Sequence, residues 1–355
     1  MRIVIATGGS GGHVVPALCV AEELRKEAHE IFFLAAGGTI LEKITKNGFQ
    51  LLTLPAKGLS LSSPGSLFTS VSAMIRAFGR AFKFLKNFRP DVAAGFGGYG
   101  SFPVVLAAFF LGIPTLIHEQ NVVPGRANRW LGVLVRRVAV SFEKTKIYFS
   151  RSKSVLTGCP CHNRPPSLKR EEIWERFNLE PFKKTVVVMG GSQGSRRINE
   201  EFLHAARRLK DDFVFQVIHV AGKKDVGALR ESYGEMGIGN DVVEFLDEME
   251  CAYSVADLIV SRAGALSVCE IASFAIPAIL IPYPLAGGHQ NENALVLQEA
   301  GLAEIIREEA LSGEKLKEAI LTMMTRPRTN FREEEIVIAD AAQRLAKEVV
   351  SLKRL

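Results

Sequence analysis

Short apolar runs of four to nine residues recur along the 355-residue chain, separated by stretches with helical periodicity. In the first half they predict strands at Ile3–Ala6, Glu30–Ala35, Gln50–Leu54, Val92–Gly95, Thr115–His118 and Arg137–Ser141. In the second half the strands are expected at Thr185–Met189, Phe213–Ala221, Val242–Phe245, Leu258–Ser261 and Ala278–Ile281. Helices fill the gaps, among them Val14–Glu27, Asn199–Lys210, Leu266–Phe274 and Asn291–Ala300. This alternation predicts an α/β protein of two doubly wound, Rossmann-like domains. The proline-rich stretch Thr157–Ser167 reads as the linker, which places the domains at 1–162 and 163–335. A final amphipathic helix, about Glu333–Leu352, has no strand after it, so residues 336–355 are set apart as a segment free to pack back on the first domain.

The same glycine turn, GGS-x-G, follows the first strand of each half: "GGSGGH" at Gly8–His13 and "GGSQG" at Gly190–Gly194. Glycine lets backbone N–H groups approach a phosphate, and the helix start that follows adds partial positive charge. A third loop, "GFGGYGSFP" at Gly95–Pro103, has the same character. None supplies G-x-G-x-x-G or the P-loop spacing, and the second strand ends in "FFLAAGGT" without the acid a dinucleotide site wants. Dehydrogenase and P-loop ATPase readings are set aside. In the second half Leu258–Ser261 leads through Arg262–Gly264 into a helix near Ala265, whose second turn carries Glu270, a carboxylate suited to a pair of ribose hydroxyls. His289 and Gln290 open another helix, placed to meet sugar hydroxyls.

Composition is that of an ordinary globular protein, but charge is unevenly spread. Residues 1–163 hold 19 Lys/Arg against 8 Asp/Glu, whereas residues 164–355 hold 25 against 30. A basic half joined to an acidic half implies that one domain alone meets a polyanion. Neither an RNP nor a helix-turn-helix pattern is present, so nucleic acid is not the expected partner. Val92–Ile117 carries no charge, but glycines and prolines interrupt it and its apolar core is half a bilayer span. The chain is expected not to cross a membrane and to carry no signal peptide. Five scattered cysteines match no zinc or redox spacing and read as reduced thiols; no metal site and no cofactor are expected.

Six ordered motifs resemble those of the MurG family of undecaprenyl-diphospho-muramoyl-pentapeptide N-acetylglucosaminyltransferases. They are "GGSGGH" (Gly8–His13), "GGYGSFP" (Gly97–Pro103), "HEQN" (His118–Asn121), "GGSQGSR" (Gly190–Arg196), "SRAGALSVCE" (Ser261–Glu270) and "HQNENA" (His289–Ala294), and they span essentially the whole chain. The resemblance implies a GT-B fold, two Rossmann-like domains with a cleft between them. It puts the acceptor on the first domain and UDP-GlcNAc mainly on the second. By the same resemblance Ser192 lies at the donor diphosphate, and Leu246 reads uracil through its backbone. Ala265, Leu266, Ser267, Val268, Cys269 and Glu270 form the nucleoside platform, and His289 with Gln290 meets the GlcNAc. Ser10, Gly11, Gly12, Asn121 and Asn128 lie on the first-domain side of the donor, and Gly97, Gly98, Tyr99, Gly100 and Ser101 at the acceptor diphosphate. One departure stands out: "GCPCH" replaces the family's "GNPVR", so His162 stands where an arginine is expected near the donor.

The implied reaction is inverting transfer of GlcNAc from UDP to the C4 hydroxyl of the muramoyl sugar of lipid I, giving lipid II. His13, whose imidazole titrates near cellular pH, and Glu119 are the two candidate bases. Alternatives are another GT-B enzyme acting on a different lipid-linked acceptor, a UDP-GlcNAc epimerase, or a non-catalytic membrane-bound nucleotide-sugar-binding protein. Leu67–Asn87 reads as a helix with Leu67, Val71, Met74, Ile75, Phe78, Phe82 and Leu85 on one stripe and Arg76, Arg80, Lys83 and Lys86 around it. Exposed aromatics and cations on one helix suit the headgroup layer of an anionic leaflet. Docking through Met74, Ile75, Phe78, Arg80, Phe82, Lys83 and Leu85 would make the protein peripheral at the cytoplasmic face of the cell membrane.

Overall fold

The computed structural model describes residues 1–38, 41–58, 64–162, 165–191, 194–284, 288–325 and 336–353. The chain divides into two compact units, Met1–Cys161 with Ile338–Leu355, and His162–Val337.

Unit 1 runs β1 (Arg2–Gly8), α1 (Gly11–Lys26), β2 (Glu30–Ala36), α2 (Glu42–Lys46), β3 (Gln50–Thr53), α3 (Pro64–Phe88) and β4 (Val92–Gly95). It continues through α4 (Gly98–Phe110), β5 (Thr115–Glu119), α5 (Arg126–Leu134), β6 (Arg137–Val140) and β7 (Ser154–Leu156). Unit 2 runs α6 (Arg170–Arg176), β8 (Lys184–Met189), α7 (Arg196–Leu209), β9 (Phe215–Val220), α8 (Val226–Met236), β10 (Gly239–Val243) and α9 (Met249–Val255). Then come β11 (Leu258–Ser261), α10 (Ala265–Ser273), β12 (Ala278–Leu280), α11 (His289–Glu299), β13 (Ala303–Ile305) and α12 (Gly313–Thr325); α13 (Ala341–Ser351) returns to unit 1.

Both sheets are parallel among the described residues, ordered β3-β2-β1-β4-β5-β6-β7 and β10-β9-β8-β11-β12-β13. The order reverses between β1 and β4, and between β8 and β11. At such a switch point the loops beyond the strand ends diverge and leave room for a ligand. The loops that lie there are Gly8–His13 with Gly97–Ser101 in unit 1, and Gly190–Ser195 with Arg262–Ala265 in unit 2. The repeated glycine turn therefore follows the first strand of each half because that strand borders the switch.

The sheets were legible, with instructive exceptions. β7 and β13 are three residues each, too short to show a period. β10 begins at Gly239, ahead of the expected Val242, because it is an edge strand and its outer residues need no apolar run. The helix expected from Glu333 is described from Ala341; residues 331–335 lie outside the described residues. Leu345, Ala346 and Val349 of α13 join the core of β1, β2 and α1. In the expected linker, Thr157–Pro160 is buried, and a Cβ on Gly158 (φ +81°) would come 2.7 Å from Ile338.

On α3 the expected stripe is corrected. Ala73, Ala77, Ala81 and Leu85 form the buried row, while Leu67, Val71 and Ile75 are exposed. Small side chains let the helix lie close to the sheet and α4, so residue size overrode hydrophobicity in choosing the inner face. Leu85, fully buried against that core, is not available to lipid.

Candidate active site

In unit 1 three glycine turns press on one another. The Gly8 N–H donates to the Gly97 carbonyl at 3.0 Å. A Cβ on Gly9 would fall 1.6 Å from the Gly37 carbonyl oxygen, so that residue must lack one. Gly97 and Gly98 both have positive φ (84° and 75°), and the half-buried His13 ring lies against them. Ser10 is the N-cap of α1, yet its hydroxyl pairs with His13 Nδ1 at 2.7 Å instead of capping a helix amide. The first turn of α1 contains no acid, so no carboxylate of its own offsets the partial positive charge of its leading N–H groups. Burial lowers the His13 imidazole to about 4, so it is neutral at cellular pH.

Glu119 ends β5 with its carboxylate fully engaged. Oε1 accepts from the Asn121 backbone N–H (2.9 Å) and Nδ2 (3.0 Å); Oε2 accepts from the Gly125 N–H (3.0 Å) and Asn128 Nδ2 (2.8 Å). Asn128 also donates to the His118 carbonyl, and it is buried. This pair braces the loop between β5 and α5, with both Glu119 oxygens already engaged and the Asn128 side chain buried. Gly100 and Ser101 are buried too. The Gly100 Cα packs against the Thr7 carbonyl and the start of Ala36, and Ser101 Oγ donates to the Gly98 carbonyl at 3.1 Å. Both shape the second turn from within. Tyr99 is partly exposed, its hydroxyl over Gly37.

In unit 2 the turn Gly190–Ser195 is built on similar glycines. A Cβ on Gly190 would meet the Ser195 nitrogen at 2.1 Å; Gly191 (φ +90°) and Gly194 (φ +74°) are left-handed, and the Gly194 N–H closes on the Gly191 carbonyl at 3.0 Å. Ser192 lies outside the described residues. Ser195, the N-cap of α7, accepts from Arg262 Nη2 at 2.9 Å. The same guanidinium grips Glu308 with both nitrogens (2.6 and 3.1 Å), donates to the Ile281 carbonyl and lies over the Tyr283 ring. A planar fork joining four chain segments fixes this end of the sheet as a lysine could not.

Around α10, Glu270 is buried and one of its oxygens accepts the Tyr253 hydroxyl at 3.0 Å. Val268 and Cys269 turn into the core, whereas Leu266 and Ser267 stay partly open. Gln290 Oε1 accepts from the Ala263 N–H (3.2 Å) and the Tyr283 N–H (2.9 Å), while Asn293 Nδ2 donates to the Ala263 carbonyl (3.2 Å). The start of α11 thus holds Ala263 through both its N–H and its carbonyl, and the Gln290 carbonyl is committed to the backbone. His289 is partly exposed beside it; Leu246 is buried beyond β10, and His162, the first residue of unit 2, is exposed. Arg262, Tyr253 and Asn293 went unnoticed in the sequence. Arg262 and Asn293 sit inside quoted motifs, but their partners are far along the chain and no local pattern marks them. No cluster of three or more metal-ligating side chains occurs among the described residues.

Comparison with known proteins completes the picture. Residues 3–140 match the glycosyltransferase family 28 N-terminal domain and residues 185–349 the glycosyltransferase family 28 C-terminal domain. The UDP-N-acetylglucosamine–N-acetylmuramyl-(pentapeptide) pyrophosphoryl-undecaprenol N-acetylglucosamine transferase of Halothermothrix orenii is 39% identical, over 90% of this chain and 89% of that protein. The transferase of the same name from Thermodesulfovibrio yellowstonii is 38% identical over 92% and 91%. The crystal structure of Acinetobacter baumannii MurG superposes with a TM-score of 0.74 at 28% identity, covering 99% of each chain. A Staphylococcus aureus MnaA–UDP co-structure shares the fold at 15% identity with a TM-score of 0.72. With this identity sustained over nearly its whole length and both units matched, the chain belongs to the MurG family of glycosyltransferases, with the two Rossmann-like domains of the GT-B fold.

Proposed function

We infer that the protein moves GlcNAc from UDP-GlcNAc to the C4 hydroxyl of the muramoyl sugar of lipid I, giving lipid II for peptidoglycan synthesis. Family membership over nearly the full length is the observation that carries this. Unit 2 takes the donor. The amide N–H groups of the Gly190–Ser195 turn and the start of α7 donate to the diphosphate oxygens, and the Glu270 carboxylate, oriented by Tyr253, accepts from the ribose hydroxyls. Leu246 meets uracil through its backbone, and the Gln290 amide nitrogen, with His289, meets the sugar. In unit 1 the Gly11 and Gly12 amides and the Gly97–Tyr99 turn take the acceptor diphosphate side.

In the reaction the C4 oxygen bonds to the anomeric carbon as the bond to the UDP oxygen breaks. His13 accepts the hydroxyl proton, and the departing UDP carries away the negative charge, met by helix-start amides. A neutral ring held to about 4 is a weak base by itself; an anionic diphosphate beside it raises its proton affinity. Ser10 fixes the ring's rotation. The test is incubation of the pure protein with radiolabelled UDP-GlcNAc and a short-chain lipid I analogue in the presence of EDTA. Lipid II is the expected product; its absence with a competent acceptor overturns the assignment, and dependence on added divalent cation overturns the metal-free mechanism.

The acceptor's lipid tail calls for a membrane surface. Among the described residues no helix is long and apolar enough to cross one. The exposed side of α3 and α4 offers Phe68 (75% exposed), Ile75 (65%) and Phe110 (65%), with exposed Arg76, Arg80, Lys83 and Lys86 on α3. Such a face suits adsorption to an anionic leaflet at about 1 kcal/mol per basic residue, which supports reading the protein as peripheral at the cytoplasmic face. Sedimentation with vesicles tests this. Phe68→Ser with Ile75→Ser should weaken binding, and equal binding to neutral and anionic vesicles at low salt would refute it.

A further inference from the structure

Unit 2 contains a row of buried polar side chains that the transfer chemistry leaves unused. Tyr233 on α8, His219 on β9 and Asn199 on α7 are all buried. The Tyr233 hydroxyl lies 2.8 Å from His219 Nδ1, and His219 Nε2 lies 3.1 Å from Asn199 Oδ1. Asn199 Nδ2 donates to the Ala221 carbonyl (3.0 Å) and to Asp225 Oδ2 (2.8 Å). Because the Asn199 nitrogen faces two acceptors, its oxygen must accept. His219 therefore carries its proton on Nε2 and accepts the Tyr233 hydroxyl at Nδ1. Burial agrees, lowering the imidazole to about 3 and raising the phenol well above its ordinary value. The bonds all run one way, from Tyr233 through His219 and Asn199 to the Ala221 carbonyl.

That carbonyl is where the donor turn rests. A Cβ on Gly194 would come 2.3 Å from the Ala221 oxygen, so the backbone at Gly194 lies directly on it. Asn199 sits in the first turn of α7, one helical turn from the Ser195 N-cap, whose carbonyl accepts the Asn199 N–H at 2.9 Å. Apolar side chains would fill the same volume without a desolvation cost; what the polar row adds is direction.

We propose that Tyr233, His219 and Asn199 form a positioning relay that seats the donor turn on the Ala221 carbonyl and so sets affinity for the nucleotide-sugar diphosphate. This rests on the reading that the Gly190–Ser195 turn holds that diphosphate. None of the three touches substrate.

The discriminating variants are His219→Leu, which breaks the relay, and His219→Gln, whose amide keeps the same order of acceptor and donor. With lipid I analogue and UDP-GlcNAc, His219→Leu should raise donor KM and the Kd for UDP about tenfold, about 1.4 kcal/mol, while kcat and acceptor KM stay within about twofold. His219→Gln should restore most of the donor affinity. A folded Leu variant with parental donor KM overturns the proposal, as does a Gln variant impaired equally with Leu. Should His219→Leu not fold, Tyr233→Phe, which removes one oxygen, is read the same way: a raised donor KM supports the relay and a parental one overturns it. Gly194→Ala separates the two levels. If it leaves donor KM unchanged, the reading of the turn itself fails; if it raises donor KM while the relay variants do not, only the relay fails.

Discussion

The two copies of GGS-x-G share a sequence and a place in their sheets, but not their surroundings. In unit 1 the turn leans on two other glycine turns and on one neutral imidazole, and its N-cap hydroxyl is committed to His13. In unit 2 the turn is held from outside: Arg262 takes the N-cap hydroxyl and the Ala221 carbonyl supports Gly194. One arrangement sets an imidazole beside its turn; the other sets its turn against a carbonyl and a charge-anchored N-cap. A shared motif therefore specifies the backbone of a glycine turn, and its neighbours decide which side chains stand beside it.

The sharpest way to break this contrast is His13→Ala, expected to lower kcat by about 10²–10⁴-fold while UDP binding by titration calorimetry stays parental. A loss under tenfold with donor binding intact removes His13 as the base. Next, Arg262→Leu leaves Glu308 without its guanidinium at a largely buried site and should cost about 3 kcal/mol, read as a lowered midpoint in thermal or denaturant unfolding. An unshifted midpoint would mean that unit 2 is not anchored through this pair.

A smaller effect separates glycines within the two turns. Gly194→Ala, at positive φ and against a carbonyl, should weaken UDP binding by about 1–3 kcal/mol, whereas Gly12→Ala, with open space around it, should change structure little. Equal losses would erase the distinction between a seated and an open turn. The mildest test is pH. His118 in unit 1 and His219 in unit 2 are buried, with imidazoles lowered to about 4 and about 3 from 6.5. The unfolded chain then binds more protons below about pH 6.5, so the stability these groups contribute is complete above that value and is lost as pH falls toward 4. Thermal unfolding at pH 7, 6 and 5 should show declining midpoints, and His219→Gln should reduce the decline; a flat profile contradicts the buried neutral state.

Much of the site could be read before any fold was known, since its backbone parts are local. Glycines at Gly97, Gly191 and Gly194 mark left-handed turns, and the strands before them announce the switch points. The side chains were harder. Glu119 looked like a free acid because nothing nearby in sequence reveals that Gly125 and Asn128 turn back to bind it. Gln290 looked like a pure sugar contact, yet its carbonyl is spent on the Ala263 and Tyr283 backbone. Leu85 looked lipid-facing because hydrophobicity along a helix does not reveal which face has room for a sheet.

From sequence alone come the β–α alternation, the two glycine turns, the basic first half and, through six ordered motifs, the family. Each is a property of neighbours along the chain: period, backbone freedom or summed charge. Tertiary structure alone decided the alanine face of α3, the saturation of Glu119, the four-segment grip of Arg262 and the direction of the Tyr233–His219–Asn199 row. These depend on hydrogen-bond partners and packing volumes supplied by residues as far apart as Ser195 and Arg262, which only folding brings within reach.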